Sequence, residues 1–225
     1  MGAPAARSTS GPSPLRMKAR RTVTKIRRAW NRRVGPQRLR KALARKGDPK
    51  IVIGSGATQL GNGWISTDRE FLDLLNPADW QRFFQPNTIA AMLAEHVWEH
   101  LTLEQGLLAA RTCHTYLRPG GYLRLAVPDG FHPDPEYIGW IKVGGRSPMQ
   151  LANDHKVLYT YKSLSDLLTS AGFQVKLYEY FDENGIFQYQ PWDPKAGMIR
   201  RSRSFDKRNR GGRLVFTSII LDAIK

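Results

Sequence analysis

The sequence predicts an α/β protein with a doubly wound, mostly parallel sheet. Short apolar runs that enter glycine or polar turns alternate with helical segments over residues 51–224, which is typical of buried parallel strands joined by helical crossovers. At 225 residues the chain is long enough for one full domain and an extension. Ligands of such sheets bind beyond the carboxyl ends of the strands, so we expect the turns after the strands to form a site.

The strands and two helix starts follow from local patterns. Thr102 and Gln105 have the spacing of a capping box that begins a helix, and Ser163 and Asp166 predict a second one. Strands are expected at residues 51–53, 63–68, 87–97, 122–130, 173–180 and 214–224.

The positive charge is concentrated in two segments. Of the net charge of +16, residues 1–50 supply +15 and residues 51–225 only +1. A second basic segment, residues 195–213, has eight Lys and Arg against one acid, Asp206. Its arginines are suited to bidentate recognition of phosphate or carboxylate, or they belong to a solvated loop.

The basic N-terminal part predicts an extension, residues 1–46, before a catalytic domain at residues 47–225. Residues 1–14 are small, Pro-rich and polar, which favours disorder. From Leu15 an amphipathic basic helix is expected, ended near Gly35-Pro36. Such a helix packs on a protein, or binds an anionic partner through residues 15–46, either a membrane surface or nucleic acid.

Composition favours the cytoplasm. Cys113 is the one cysteine, so no intrachain disulfide can form. No apolar run reaches the roughly 20 residues of a membrane-spanning helix, and the first 30 residues lack the apolar core of a secretory signal. The Arg- and Ser-rich start has the composition of an organelle transit peptide, which is the alternative.

A glycine turn and a later acid indicate a nucleoside site. Asp68 ends the second strand, where it is placed to accept hydrogen bonds from ribose hydroxyls; the alternative is a surface carboxylate. A nicotinamide dehydrogenase is disfavoured because Gly54 and Gly56 are followed next by Gly61, which breaks G-x-G-x-x-G. The link between the strands is also too short for a full helical crossover.

Six stretches together resemble the class I S-adenosylmethionine (SAM)-dependent methyltransferases, in particular small predicted members that are type 11-like. They span roughly residues 50–225 and read "IVIGSG", "GWISTD", "AEHVWEHL", "LRPGGYLRLAVPDG", "SLSDLLTSAGF" and "GMIRRSRSFDKRNRGG". The resemblance implies a Rossmann-like sheet of seven strands with an antiparallel last strand, SAM as the cofactor, and methyl transfer to an O or N acceptor.

The resemblance also implies roles for single residues. Asp68 would bind the cofactor's ribose, and the turn after the third expected strand would lie beside the sulfonium. The implied cofactor-binding residues are Gly54, Ser55, Gly56, Asp68, Glu95, His96 and Val97. The sequence departs from the family in lacking a clear third strand with an adenine-binding acid, for which Asp73 and Asp79 are the weak candidates.

Two Glu-His pairs four residues apart predict proton chemistry. His96 or His100 could deprotonate an acceptor, since a carboxylate beside a histidine raises its basicity; alternatively, Glu99 and His100 only fix the loop. Further catalytic candidates are Asp129, which otherwise holds the Pro-Asp-Gly turn, and His155. No metal site is expected, because "HVWEH" lacks the Glu that follows the first His in H-E-x-x-H.

A lid is expected around residues 153–163. In it Asp154 and Tyr161 accompany His155, although Tyr159 and Tyr161 are equally suited to packing. The expected acceptor is a small or glycan-like molecule. The alternative to an enzyme is a Rossmann-like binding protein that uses its basic arms on nucleic acid or an anionic membrane.

Overall fold

A computed structural model describes residues 14–45, 47–56, 59–145, 154–209, 211 and 213–225. The expectation of disorder for residues 1–14 therefore lies outside the described residues except for Pro14. The helices are α1 (Pro14–Leu43), α2 (Pro77–Gln81), α3 (Leu103–Tyr116), α4 (Pro135–Ile141) and α5 (Tyr161–Ser170). The strands are β1 (Lys50–Ile53), β2 (Trp64–Ser66), β3 (Ile89–Glu95), β4 (Leu117–Pro128), β5 (Gln174–Phe181), β6 (Phe187–Tyr189) and β7 (Ser218–Ile224).

The seven strands form one mixed sheet in the order β2-β1-β3-β4-β7-β5-β6. β1 pairs in parallel with β2 and β3, and β3 pairs in parallel with β4. β7 runs antiparallel between β4 and β5, and β6 is antiparallel to β5. The predicted α/β class, the mostly parallel sheet and the antiparallel last strand are confirmed. The short hairpin strand β6 was not predicted.

The central strands are buried on both faces. β3 and β4 carry apolar side chains toward one core beneath α3 and α5, in which Trp80, Trp98 and Leu164 are fully buried. Trp64, Tyr178 and Ile199 form a smaller core on the opposite face. Burial of this kind explains why the strands read as continuous apolar runs rather than alternating ones.

The connections around β2 are short. Among the described residues between β1 and β2 no helix forms, and no strand forms between β2 and β3. α2 occupies part of the latter stretch. Asp73 and Asp79 serve its local structure, because Asp79 accepts from the Asp73 amide and Asp73 accepts from the Leu75 amide. A third strand with an adenine-binding acid is therefore absent from the described structure.

One of the two predicted capping boxes is correct. Thr102 and Gln105 cap α3 reciprocally, side chain to backbone in both directions. The box predicted from Ser163 and Asp166 is wrong, because α5 begins three residues earlier. There Thr160 is the N-cap and Ser163 is its partner at the third helical position. Two hydroxyl residues at this spacing perform the same exchange as Thr and Gln.

The predicted end of α1 near Gly35-Pro36 is also wrong. The helix continues to Leu43, with Pro36 inside it. Gly35 and Pro36 are buried and Leu39 is 1% exposed, so packing on the domain stabilises the turn that Pro36 weakens by removing one backbone hydrogen bond. A Cβ at Gly35 would clash with the Phe71 ring, so the contact requires glycine.

The second basic segment is attached to the sheet by a buried arginine. The Arg124 guanidinium forms a bidentate pair with Asp222 of β7 at 2.8 and 2.9 Å. It also donates to the carbonyls of Asp193 and Gly197, at 2.9 and 2.8 Å. β4 thereby holds the start of residues 195–213 against the sheet.

Among the described residues, no helix combines the length and the apolar character of a membrane span.

Candidate active site

A cleft of about 920 Å³ opens at the carboxyl ends of β1, β3 and β4. Its walls come from sequence-distant segments: the turn after β1, the stretch after β2, the turn after β3, α4, and the loop before β7. The volume is in the range of sites that bury a small ligand, roughly 300–1,000 Å³. The predicted edge of the sheet is therefore where the cleft lies.

The turn after β1 forms one wall. Gly54 and Gly56 have left-handed backbones, with φ of 61° and 57°. The Ser55 amide donates to the Thr67 carbonyl at 2.9 Å, and the Thr67 amide donates to the Val52 carbonyl at 2.8 Å. These bonds bring the end of β2 against the turn. Asp68, the next residue, consequently lines the same cleft as the glycines.

The end of β3 carries Glu95 and His96. The Glu95 carboxylate accepts a hydrogen bond from the Arg201 amide at 2.8 Å and has two guanidinium groups within 4 Å. His96 has a left-handed backbone, φ 57°, while its amide still donates to the Ala126 carbonyl of β4. The left-handed residue ends the strand and turns the chain into a short 3-10 helix, Trp98–His100.

That turn places a buried carboxylate below the cleft. Glu99 is 1% exposed, and neither of its carboxylate oxygens has a hydrogen-bond partner among the residues that the structure describes. His96 Nδ1 lies 3.1 Å and His155 Nε2 4.0 Å from Glu99 Oε1. Burial raises the pKa of Glu99 to about 7.

His96 lies between this carboxyl group and β7. Its Nε2 is 3.0 Å from the Ser218 hydroxyl, and its ring stacks on Phe216. Burial, with a further contribution from the Arg201 guanidinium, holds the pKa of His96 well below its usual value. The neutral imidazole is therefore the form present at pH 7.

His100 and His155 lie beside Glu99 and complete the bottom of the cleft, which we call its floor. Their ring centroids are 5.0 Å apart, and His155 Nδ1 lies 2.8 Å from the Ile141 carbonyl. Asp154 Oδ1 lies 3.2 Å from His100 Nδ1. The Lys156 amide donates to the Glu99 carbonyl at 2.7 Å, so backbone contacts fix the His155 segment beside Glu99.

Most of the site residues predicted from sequence meet in this cleft. Its lining includes Gly54, Ser55, Gly56, Asp68, Glu95, His96, His100 and His155. Val97, which was predicted to bind the cofactor, is not part of this lining; its methyl group is 2.9 Å from where a Cβ at Gly54 would stand. Of the expected lid residues, Tyr159 is buried and Tyr161 bonds to Glu183; Asn153 lies outside the described residues.

Asp129 does not line the cleft. It is fully buried and accepts hydrogen bonds from the amides of Phe131 and Phe181, at 3.0 and 2.6 Å. Burial raises its pKa to about 6. The geometry gives Asp129 the structural role that the sequence left open, because it joins the turn after β4 to the end of β5.

Sequence reasoning missed several walls of the cleft. Arg28 reaches it from α1, Trp140 and Ile141 from α4, and Phe216 from the stretch before β7. Arg200, Arg201 and Arg208 also line it; the sequence indicated phosphate or carboxylate recognition for this second basic segment but did not place it at the cleft. The sequence signal for these arginines was the charge cluster itself, whereas α4 carried none beyond Asp134-Pro135, an N-cap followed by proline.

Comparisons with known proteins give similar folds. Neither a protein-family model nor a curated protein sequence matches the chain. A SAM-dependent methyltransferase of Archaeoglobus fulgidus is 17% identical over 86% of this chain and 94% of its own, with a TM-score of 0.43. One of Thermotoga maritima is 13% identical over 91% and 97%, also at 0.43. Phosphoethanolamine N-methyltransferase 2 of Haemonchus contortus, solved with SAM, is 12% identical over 67% and 38%, at 0.37.

Proposed function

We propose that this chain is a SAM-dependent methyltransferase that transfers a methyl group to an O or N acceptor. The observation that carries the proposal is the position of Asp68, which lines one cleft together with the Gly54–Gly56 turn and the Glu95–His100 segment. A carboxylate at the end of the second strand is placed for a ribose diol. The glycine turn lies where the amino-acid portion of the cofactor would approach the backbone.

The turn leaves space for such a ligand. Among the described residues, none has an atom within 4 Å of where a Cβ at Gly56 would stand, so they leave open space at this backbone position of the cleft wall. Ser55 and Gly54 would contact the methionine portion and Asp68 the ribose. When bound, SAM supplies a methyl group already activated on a sulfonium, and the protein has mainly to hold the acceptor about 3 Å from it and aligned.

Other residues of the cleft are suited to proton transfer and to recognition of the acceptor. His96 and His100 line the cleft and are the groups that would take the proton the acceptor loses. Arg200, Arg201 and Arg208 line it as well, which favours an acceptor that carries an acidic group, because guanidinium pairs well with carboxylate and phosphate. We propose a small or glycan-like molecule of this kind.

Isothermal titration calorimetry with S-adenosylhomocysteine (SAH) tests the proposal. We expect wild-type protein to bind one equivalent, and Asp68→Asn to bind at least tenfold more weakly, because hydrogen bonds to a charged acceptor contribute about 1.5–3 kcal/mol. Asp166→Asn is the matched control, since Asp166 is an exposed carboxylate of α5 outside the cleft. Absence of SAH binding by the wild type, or equal affinity of the two variants, would reject the function.

We also propose a peripheral role for α1 on an anionic membrane surface, with the enzyme in the cytoplasm. Val23, Ile26 and Trp30 are 65%, 64% and 48% exposed, and their spacing puts them on one face of the helix. Basic residues flank them. An exposed Ile-Trp face within a basic helix favours insertion among anionic headgroups over binding to nucleic acid.

A further inference from the structure

Glu99, His100 and His155 lie together on the floor of the cleft, and we propose that they bind a divalent transition metal ion such as Zn²⁺. One potential ligand atom from each residue lies within 4.8 Å of the other two. All three side chains line the cleft. Two imidazoles and one carboxylate form a donor set that first-row transition metals use in catalytic sites.

The state of Glu99 is the first argument. Both its oxygens are buried and have no hydrogen-bond partner within the described ranges, and a buried carboxylate is costly unless it is paired or binds a metal. Among the described residues the groups within ion-pair distance of it are two imidazoles, His96 at 3.1 Å and His155 at 4.0 Å, and an imidazole is a cation only when protonated. No lysine or arginine side chain in the described part of the chain lies within ion-pair distance of it. A cation at this position would satisfy it.

The second argument is the tautomer of His155. Its Nδ1 lies 2.8 Å from the Ile141 carbonyl oxygen, which only accepts, so Nδ1 carries the proton and donates. Nε2 then presents a lone pair toward Glu99 Oε1 at 4.0 Å. Two acceptors at this distance are too far apart to share a proton. Two tetrahedral ligands about 2.0–2.2 Å from one Zn²⁺ would be only about half an ångström closer together, so a small side-chain shift would let both atoms bind one ion.

The surroundings match those of a metal centre. Ligating histidines usually donate their second ring nitrogen to a carbonyl or carboxylate, as His155 does to Ile141. The amides of Lys156 and Val157 lie 2.7 and 3.3 Å from the Glu99 carbonyl. Both segments that carry the ligands are therefore joined by backbone hydrogen bonds before any ion binds.

Three protein ligands leave coordination positions open toward the cleft, as in catalytic zinc sites. If the proposed methyl transfer is correct, an acceptor oxygen or nitrogen would bind there and the metal would lower its pKa; His100 would then be a ligand, and His96 would be the group that takes the proton. The binding of the ion itself does not depend on that function. The motif H-E-x-x-H did not indicate the site because the proposed set pairs His100 with the adjacent Glu99 and the distant His155, and does not include His96.

Co²⁺ and Zn²⁺ titrations of the chelator-treated full chain test the proposal. We expect one equivalent of Co²⁺ to give a visible d–d spectrum, which Zn²⁺ then displaces, and Mg²⁺ to have no effect. Glu99→Gln and His155→Gln should each weaken Co²⁺ binding at least tenfold. His114→Gln is the matched control, since His114 lies outside the cleft on α3 and its loss removes the same number of imidazoles.

Absence of one-to-one Co²⁺ and Zn²⁺ binding by the wild type would overturn the proposal, as would wild-type affinity in both ligand variants. If the variants do not fold, X-ray absorption spectroscopy of the Zn²⁺-loaded wild type tests the site by identifying the ligands of the ion. Two imidazoles in its first shell would support the site, and none would overturn it. SAH titration of the same samples separates the two proposals, because metal binding without SAH binding would reject only the methyltransferase.

Discussion

Two left-handed residues shape the cleft at the scale of single residues. Gly54 ends β1 with φ 61° and His96 ends β3 with φ 57°. For a residue with a Cβ this conformation costs roughly 1–2 kcal/mol. Strained residues of this kind cluster at binding and catalytic sites. At His96 the cost accompanies a turn that directs Glu99 inward, so the geometry of the floor depends on it.

Replacing Gly54 by alanine should damage both stability and ligand binding. The new Cβ would stand 2.9 Å from a Val97 methyl group, at a positive φ. We expect a loss of about 1–3 kcal/mol in the free energy of unfolding, from the backbone conformation and the contact together. Denaturant unfolding and SAH titration measure the two effects.

Gly61→Ala is the matched control for that substitution. Gly61 has nearly the same φ, 67°, but no atom of the described part of the chain lies within 4 Å of its Cβ position. It should lose only the backbone part and keep SAH affinity. Gly54→Ala combined with Val97→Ala should recover part of the lost affinity. Equal behaviour of the Gly54 and Gly61 variants would show that the approach of Val97 is unimportant.

The residues of the cleft could be predicted where strand ends supplied them. Gly54, Asp68, Glu95 and His96 follow strands that run in parallel, so their meeting at one edge follows from the topology. The role of Asp129 could not be predicted in this way. Its partner at Phe181 belongs to β5, which is separated from β4 in the sheet by β7, and no local pattern reports that approach.

At the scale of elements, strands with a clear apolar pattern could be predicted from the sequence. The full length of α1 and the short strand β6 could not. The strands β1, β3, β4 and β7 were found because burial makes them largely apolar, whereas β2 and β5 are only partly buried. α1 continued through Pro36 because Leu39 and Gly35 pack on the domain, a tertiary contribution that overrides a local helix breaker. β6 is three residues long and half-exposed, so it leaves almost no periodic signal.

Arg124 illustrates a polar residue hidden in an apolar strand. β4 was predicted from its apolar run, yet this arginine is 2% exposed and pairs with Asp222. Its carbonyl contacts to Asp193 and Gly197 position the segment that carries Arg200 and Arg201. Removing one partner of a buried pair typically costs 3–5 kcal/mol. Through Arg124, β4 therefore positions the arginines that line the cleft.

The exposed face of α1 should mediate vesicle binding. We expect the full chain to cosediment with vesicles of phosphatidylcholine and phosphatidylserine and to be released by salt, while pure phosphatidylcholine retains little. Ile26→Ala with Trp30→Ala should reduce binding by tenfold or more, because burying these side chains is worth roughly 1.5–3 kcal/mol each.

Ile186→Ala controls for the loss of any exposed apolar side chain. Ile186 is 58% exposed on the β5–β6 hairpin, and its variant should bind vesicles as the wild type does. Equal binding to neutral and anionic vesicles would contradict the interpretation. Salt-sensitive binding to duplex DNA, without vesicle binding, would instead assign α1 to nucleic acid.

At the scale of the whole molecule, two basic segments from opposite ends of the chain converge on one cleft. Arg28 belongs to α1, and Arg200, Arg201 and Arg208 precede β7. The acids Asp68, Glu95 and Glu99 lie among them. The sequence showed that the charge was segregated, but its convergence depends on how the segments pack, which composition does not encode.

Ligand binding should consequently protect sequence-distant amides together. Saturating SAH should slow the native-state hydrogen exchange of two amides: that of Ser55, bonded to Thr67, and that of Arg201, bonded to Glu95. A ligand that contacts both walls of the cleft would reduce the local opening of each wall. The Ile186 amide, bonded to Asp182 at the hairpin, is the control. Its exchange by local opening, as opposed to global unfolding, should have the same rate with and without SAH. Protection of residues 50–70 alone would show that the second basic segment is not a wall of the occupied cleft.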